Sequence, residues 1–175
     1  LAMGNLFTDK YAEGYANHRF YAGCENVDAV EAEGAALACE LFGAHAAYLQ
    51  PHSGADANLV AFTAILSARV QAPSLAEIGL EDPSKATREQ WAKVREAYHN
   101  QRLLALDYYS GGHLTHGYRH NISSQLFDVY SYSVERETQL LDLDRVRAMA
   151  LEIRPLILLA GYSAYPRKIN FAQMR

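Results

Sequence analysis

The chain has 175 residues, 50% of them hydrophobic, which is enough for one domain or a large part of a bigger one with a sizeable core. Its net charge is -4 and its 16 lysines and arginines are dispersed, so a small-molecule ligand is indicated rather than nucleic acid or an anionic membrane. Cys24 and Cys39 lie outside any close Cys/His cluster, so we expect no metal site and no disulfide. No apolar run approaches ~18 residues and no signal peptide is visible, so we expect a cytoplasmic protein.

An irregular arm and two helices are predicted in the first part of the chain. Residues 4–25 combine Gly, Tyr and charged residues without a period, which is typical of a segment that crosses a surface. Residues 27–42 place apolar side chains near helical spacing, and Gly43 follows as a helix stop. Residues 46–49 form a short strand candidate, and residues 58–68 again have helical spacing.

The turn between that strand candidate and the second helix is Pro51-His52-Ser53-Gly54. A strand, a Ser/Gly turn and a helix start suit anion binding, because the first backbone N–H groups of a helix have no acceptor within it. The sequence therefore predicts a phosphate site at this turn, with His52 expected to hold the turn in place.

Residues 71–101 differ from their surroundings because Pro73, Pro83 and charged residues dominate them. Thr87-x-x-Gln90 resembles a capping box for a helix that continues through about Tyr98. We expect a solvent-facing helical insertion here.

The remaining elements alternate between strand and helix. Residues 103–106 and 126–132 are strand candidates, and residues 143–153 have helical spacing. Residues 156–160 form a continuous apolar run, which is typical of a strand buried on both faces. This order predicts an α/β fold with a mostly parallel sheet flanked by helices. Asn170 resembles the N-cap of a helix that has barely begun, so we expect that the chain is cut at both ends.

Three loops that follow strand candidates are rich in Ser, His, Gly and Tyr. They comprise residues 51–54, 110–117 and 161–165. In an open parallel sheet, the loops at the carboxyl ends of the strands converge on a ligand crevice. The three loops are therefore expected to line one site.

Five motifs occur in the order found in serine hydroxymethyltransferases, and the chain resembles that family. They are Lys10-Tyr-Ala-Glu-Gly-Tyr15, Arg19-Phe-Tyr-Ala-Gly-Cys-Glu25, Gln50-Pro-His-Ser-Gly54, Gly111-Gly-His-Leu-Thr-His-Gly117 and Ser163-Ala-Tyr-Pro-Arg167. The resemblance covers nearly all of the chain except residues 71–101.

The resemblance implies the large α/β domain of a fold-type I enzyme that uses pyridoxal phosphate as an electron sink. The implied reaction is transfer of the one-carbon unit of serine to tetrahydrofolate, which yields glycine, in a homodimer or a tetramer. Two alternatives stay open: a threonine aldolase-like lyase of the same fold type, and a non-catalytic binding module.

For the cofactor, the resemblance implies a role for each of several residues. Ser53 and Gly54 would lie in the phosphate-binding turn, and His113 would stack on the pyridine ring and take part in catalysis. Asn58 would face the cofactor from the same helix, and Ser163 would bond near the 3-oxygen of the ring. For His116, two alternatives stay open: a structural hydrogen bond or a functional role.

For the substrates, the resemblance makes residues 1–25 an inter-subunit arm and residues 26–175 part of the cofactor-binding domain. Tyr11 would reach the cofactor phosphate of a neighbouring subunit, Glu13 would donate or accept the proton of the substrate hydroxyl, and Tyr21 would lie beside the substrate. Folate contacts would fall on Tyr108, Gly112, His113 and Leu114.

Some residues depart from the family pattern. Ala55 replaces a serine that would give the phosphate a second hydroxyl, and Asp56 places a negative charge near the same position. Phe20 stands where a second Tyr is usual, and Ala16-Asn17-His18 replaces a Pro-Gly-Lys turn. Lys10 and Arg19 are expected only to be solvated.

The cofactor lysine has no match in the chain. Its four lysines, Lys10, Lys85, Lys93 and Lys168, do not lie in the expected lysine segment. That lysine, the aspartate for the ring nitrogen and the arginine for the substrate carboxylate are expected beyond residue 175. The segment alone is therefore expected to be inactive.

Overall fold

A computed structural model describes residues 4–175, and the chain divides into two compact units between His52 and Ser53. The division predicted after residue 25, between an inter-subunit arm and part of a cofactor-binding domain, stays a prediction. The first unit continues past that position because Arg19, in the arm, forms ion pairs with Asp28 and Glu31 of the following helix.

The first unit consists of a small hairpin and one helix. Strands β1 (Gly14–Tyr15) and β2 (His18–Arg19) pair antiparallel, so the predicted irregular arm contains a hairpin. The turn uses Asn17 with a φ of 63°, a left-handed conformation that Asn tolerates better than most residues. Helix α1 (Glu25–Phe42) confirms the predicted helix, and Gly43 ends it in the left-handed conformation as expected.

The strand predicted at residues 46–49 is wrong. These residues have no regular secondary structure, and Tyr48 and Leu49 are about half exposed. A strand needs a neighbour for its backbone hydrogen bonds, and no strand of the first unit, as far as it is described, pairs with this segment. The Tyr48 hydroxyl instead contacts the Gln50 side chain at 2.9 Å.

The second unit begins with one long helix in three parts. Helix α2 (Gly54–Leu66) continues through a π-helical turn (Ser67–Gln71) into α3 (Ala72–Glu77). The helix starts four residues earlier than the predicted range of 58–68, because Ser53 caps it by accepting the N–H of Asp56.

This continuous helix is apolar enough to cross a membrane by length and composition alone. It has 24 residues, and an 18-residue window within it has a mean hydropathy of 1.3, although the sequence contains no uninterrupted apolar run of that length. A core helix of a soluble protein satisfies the same criteria, and Phe62 and Leu66 are buried in the protein core. The absence of a membrane partner stays a prediction.

Residues 71–101 are largely helical, as predicted. They include α3, a 3-10 turn (Pro83–Lys85) and helix α4 (Arg88–His99). The predicted capping box is confirmed, since Thr87 and Gln90 each accept the other's backbone N–H. The expectation of a solvent-facing segment is wrong for Leu75 and Val94, which are each only 2% exposed.

A parallel sheet of three strands forms the centre of the second unit. The strands are β3 (Arg102–Leu106), β4 (Asp128–Tyr132) and β5 (Ile157–Leu159), in the order β4-β3-β5. A short helix α5 (Ser123–Leu126) precedes β4, and α6 (Leu143–Ile153), with its predicted bounds, lies between β4 and β5. The predicted α/β fold with a parallel sheet is confirmed.

Strand β3 is buried except at Arg102, and its apolar side chains alternate between two cores. Leu103 and Ala105 lie with Phe62, Leu66 and Phe127 in one core. Leu104 and Leu106 join the second core, whose other buried members are Tyr132, Val146, Tyr165 and Ile169. Strand β5 is only partly buried, so the prediction that it is buried on both faces is wrong. The reason is that β5 lies at the edge of the described sheet.

The last described helix, α7 (Phe171–Met174), is short. Its cap is Asn170, whose side chain accepts the N–H of Gln173 at 3.2 Å. The predicted N-cap is confirmed.

Candidate active site

The loops that follow β3 and β5 meet at the carboxyl end of the sheet. The carbonyl of Gly111 accepts the N–H of Ser163 at 2.9 Å and that of Ala164 at 3.0 Å. The predicted convergence is confirmed for these two loops.

Gly111 permits this meeting because it has no Cβ. Its φ is 101°, and a Cβ added there would lie 2.4 Å from the backbone nitrogen of Tyr165. A larger residue would suffer both backbone strain and a clash with main-chain atoms. A glycine at position 111 is therefore required for the two loops to touch.

Ser110 connects the same loops to the third strand. Its hydroxyl contacts the Asp107 carboxylate at 3.3 Å and accepts the N–H of Val134 at 3.1 Å, just beyond β4. The ends of all three strands are thus linked through the segment that follows β3.

An open cavity of about 560 Å³ lies at these loops. Tyr108, Gly112 and Ser163, three of the predicted site residues, line it together with Arg167. This volume falls within the range of small-molecule sites, so the structure gathers part of the predicted site around a space of suitable size.

His113 caps a 3-10 turn (Leu114–His116). Its Nδ1 accepts the N–H of Thr115 at 3.2 Å and lies 2.8 Å from the Thr115 hydroxyl oxygen. Because Nδ1 accepts a backbone N–H, the proton of the neutral ring lies on Nε2. The ring is held in one orientation and remains exposed, as does Leu114.

His116 lies three residues away in a different environment. It is 8% exposed, and its Nδ1 lies 3.2 Å from the carbonyl of Leu106, to which it donates. Burial lowers the pKa of His116, despite the opposing effect of that hydrogen bond. The hydrogen bond from His116 holds the loop on β3, which favours the structural role for this residue.

The Ser53 turn forms the start of α2. The Ser53 Oγ accepts the N–H of Asp56 at 3.1 Å, and the Asn58 amide donates to the carbonyl of Gly54 at 2.8 Å. Asn58 is therefore engaged with its own helix, and its contact with a cofactor stays a prediction.

The predicted arm residues lie around the hairpin of the first unit. The rings of Tyr11 and Tyr21 meet edge to face, with centroids 5.7 Å apart. Glu13 directly precedes β1, its side chain is exposed and its carbonyl accepts the N–H of Phe20 at 2.9 Å. The structure therefore brings the rings of Tyr11 and Tyr21 into contact. The hydrogen bond from Phe20 holds the backbone of Glu13, which lies between the two tyrosines in the sequence.

Arg19 was expected to be solvated, and this expectation is wrong. Its side chain is 4% exposed and forms ion pairs with Asp28 and Glu31, each at 2.7 Å. The hydrogen bond from Arg19 lowers the pKa of Asp28 and raises that of Arg19 itself. The sequence shows Asp28 and Glu31 three residues apart on one predicted helix. It does not show which cation pairs with them, because that depends on the path of the arm.

Comparisons with known proteins agree on one family. A family model described as serine hydroxymethyltransferase matches residues 1–81 and 84–175, which includes most of the segment predicted to be an insertion. A serine hydroxymethyltransferase of Treponema pallidum (strain Nichols) is 59% identical over 174 residues, which are 99% of this chain and 30% of the relative.

Two further relatives carry the same name. The protein of Mycolicibacterium smegmatis is 57% identical over 175 residues, covering 100% of this chain and 36% of the relative. That of Chlamydia trachomatis serovar D is 45% identical over 176 residues, covering 100% and 35%. The chain spans about a third of the length of these relatives.

Proposed function

Because the chain belongs to the serine hydroxymethyltransferase family, we propose that the full-length protein converts serine and tetrahydrofolate into glycine and methylene-tetrahydrofolate. The observation that carries the proposal is the meeting of two family motifs at Gly111, whose carbonyl binds both Ser163 and Ala164 beside a cavity of ligand size. The motifs that define the resemblance are therefore also neighbours in space.

The start of α2 fits the phosphate end of pyridoxal phosphate. The first-turn N–H groups of this 13-residue helix have no acceptor within the helix, and Ser53 adds a hydroxyl. A Cβ added at Gly54 would meet nothing within 4 Å, so an anion has room there. We infer that Ser53 and Gly54 hold the phosphate, and that Asp56 in the same turn weakens its binding.

We propose that His113 and Ser163 contact the ring of the cofactor and that Asn58 faces the cofactor from α2. When bound, pyridoxal phosphate supplies an electron sink for cleavage of a bond at the amino acid's Cα. The fixed orientation and exposed face of His113 suit stacking on a flat ring. A lysine that holds the cofactor covalently is proposed to lie outside these 175 residues.

The remaining assignments concern the substrates and the assembly. We propose that Glu13 exchanges the proton of the serine hydroxyl, with Tyr21 beside the substrate and Tyr11 at the phosphate of a partner subunit in a homodimer. Tyr108, Gly112, His113 and Leu114 are proposed to contact folate; Tyr108 and Gly112 line the cavity, which supports the assignment of those two.

A cytoplasmic location is also part of the proposal. Cys24 and Cys39 are both free thiols, which suits a reducing compartment.

Assaying the full-length protein tests the activity. We expect glycine formation from serine that requires both pyridoxal phosphate and tetrahydrofolate. Cleavage that proceeds equally well without tetrahydrofolate would indicate a threonine aldolase-like lyase and contradict the proposal. Absence of turnover together with absence of a visible cofactor absorbance band would indicate a binding module.

A further inference from the structure

The guanidinium of Arg19 binds the backbone on both sides of Glu13. Its Nη1 donates to the carbonyl of Ala12 at 2.7 Å and to that of Gly14 at 3.2 Å. Neither contact involves the Glu13 side chain, so Arg19 fixes the peptide from which that side chain projects.

Arg19 is itself fixed from the opposite side. Its Nε contacts the Asp28 carboxylate and its Nη2 the Glu31 carboxylate, each at 2.7 Å, on helix α1. With its side chain 4% exposed and both acids at least partly covered, the group is held between the arm and the helix. A planar guanidinium can bind several acceptors in a fixed geometry, which a lysine ammonium cannot reproduce.

Gln50 provides a second contact to the same backbone. Its Nε2 donates to the carbonyl of Gly14 at 2.8 Å and lies 3.4 Å from both oxygens of Glu31. The carbonyl of Glu13 is also occupied, since it accepts the N–H of Phe20 at 2.9 Å. All three carbonyls from residue 12 to residue 14 therefore have donors.

We propose that Arg19 is a positioning residue for Glu13, assisted by Gln50. The proposal rests on the proposed function, in which Glu13 exchanges a proton with the substrate. Two carboxylates already neutralise the charge of Arg19. Arg19 therefore contributes to catalysis through the geometry of its hydrogen bonds and not by attracting an anionic substrate. Misplacing a reacting group by about 1 Å can cost ~10²-fold in rate, so the bonds around Glu13 matter to catalysis.

A double-mutant cycle in the full-length holoenzyme tests the proposal. Arg19→Gln is expected to lower kcat on the order of 10²-fold, with little change in the KM for serine, because proton transfer rather than binding is impaired. In the background of Glu13→Gln, the same substitution should lower kcat by less than about threefold, since the group that Arg19 positions is already absent. Additive losses in the cycle would overturn the positioning role.

Two further variants control for folding. Lys10→Gln removes another arm cation, which donates to the carbonyl of Ala22 at 2.8 Å and does not bind the residues beside Glu13; its kcat should stay at the wild-type value. If Arg19→Gln does not fold, Gln50→Ala decides, because it removes a bond to Gly14 while both ion pairs of Arg19, with Asp28 and Glu31, stay in place. It should lower kcat several-fold, on the order of 10-fold or less, and should likewise have no added effect on Glu13→Gln.

The outcomes separate this inference from the proposed function. Absence of folate-dependent serine turnover in the wild-type protein would overturn the proposed function itself. Wild-type activity in Glu13→Gln would remove the residue that Arg19 serves, and wild-type activity in both Arg19→Gln and Gln50→Ala would overturn the positioning role alone.

Discussion

His113 and His116 lie in one short turn but have different environments. His113 is exposed and uses Nδ1 to cap the turn, whereas His116 is buried against the carbonyl of Leu106. The sequence motif contains both, and only the structure distinguishes a ring that is available to a ligand from one that supports the loop.

The burial of His116 predicts a dependence of stability on pH. Its folded-state pKa is lowered, so the unfolded state, with a pKa near ~6.5, binds the proton more readily. The stabilisation associated with the neutral ring is therefore fully present above about pH 6.5 and is lost as the pH falls toward the lower folded-state pKa.

The measurement is the free energy of unfolding of the full-length protein at about pH 7.5 and about pH 5.5, on either side of the histidine titration. His116→Gln should reduce the loss on acidification, because glutamine does not titrate. The exposed His45 offers a control, and His45→Gln should leave that loss unchanged. An equal loss in wild type and His116→Gln would contradict the assignment.

Arg19 illustrates what sequence reasoning could not reach at the residue scale. The acids at Asp28 and Glu31 were visible as neighbours on one helix face, but the cation that joins them comes from a hairpin whose turn departs from the family pattern. Glu13, Tyr11 and Tyr21 were assigned roles through the resemblance, whereas Arg19, which lies in one of the same motifs and binds the backbone on both sides of Glu13, was assigned none.

At the scale of elements, the sequence predicted those with strong local signals. Helix α6 has its predicted bounds, and the capping box of α4 is present. The strand at residues 46–49 failed because strand formation depends on a pairing partner that local composition does not reveal. The burial of β5 failed for a related reason, since an apolar run does not indicate the place of a strand in the sheet order.

The segment at residues 71–101 makes a testable contribution to stability. Leu75 in α3 is 2% exposed, although the segment was expected to face solvent. Leu75→Ala should lower the free energy of unfolding by about 2–5 kcal/mol, the range for removing a buried leucine. Chemical denaturation measures this, with the exposed Lys93 as the control, for which Lys93→Ala should change stability by less than about 0.5 kcal/mol. A similar small effect for Leu75→Ala would mean that the segment is not part of the folded core.

At the scale of the whole molecule, the proposed homodimer has a distinctive consequence. If the arm of one subunit completes the site of its partner, Glu13 and His113 in any one site come from different chains. A dimer of one Glu13→Gln subunit and one His113→Ala subunit would then contain one site with both residues intact.

Mixing and reassembling the two full-length variants tests this arrangement. Each variant alone should have low serine turnover, and an equal mixture should recover about a quarter of the wild-type activity, since half of the dimers are mixed and each has one intact site of two. Mixing either variant with itself is the control. Failure to recover activity, after mixed dimers have been demonstrated by differential tagging, would place Glu13 and His113 of one site on the same chain.

The strand order β4-β3-β5 also affects how these 175 residues would behave if produced alone. Within residues 4–175, no strand pairs with the outer side of β4 or of β5, so both present unpaired backbone groups. Helix α1 adds an apolar surface on which Leu37, Leu41 and Phe42 are 59%, 77% and 79% exposed. Self-association into insoluble aggregates is therefore the expected fate of the isolated polypeptide, and recombinant work on its chemistry requires expression of the longer protein.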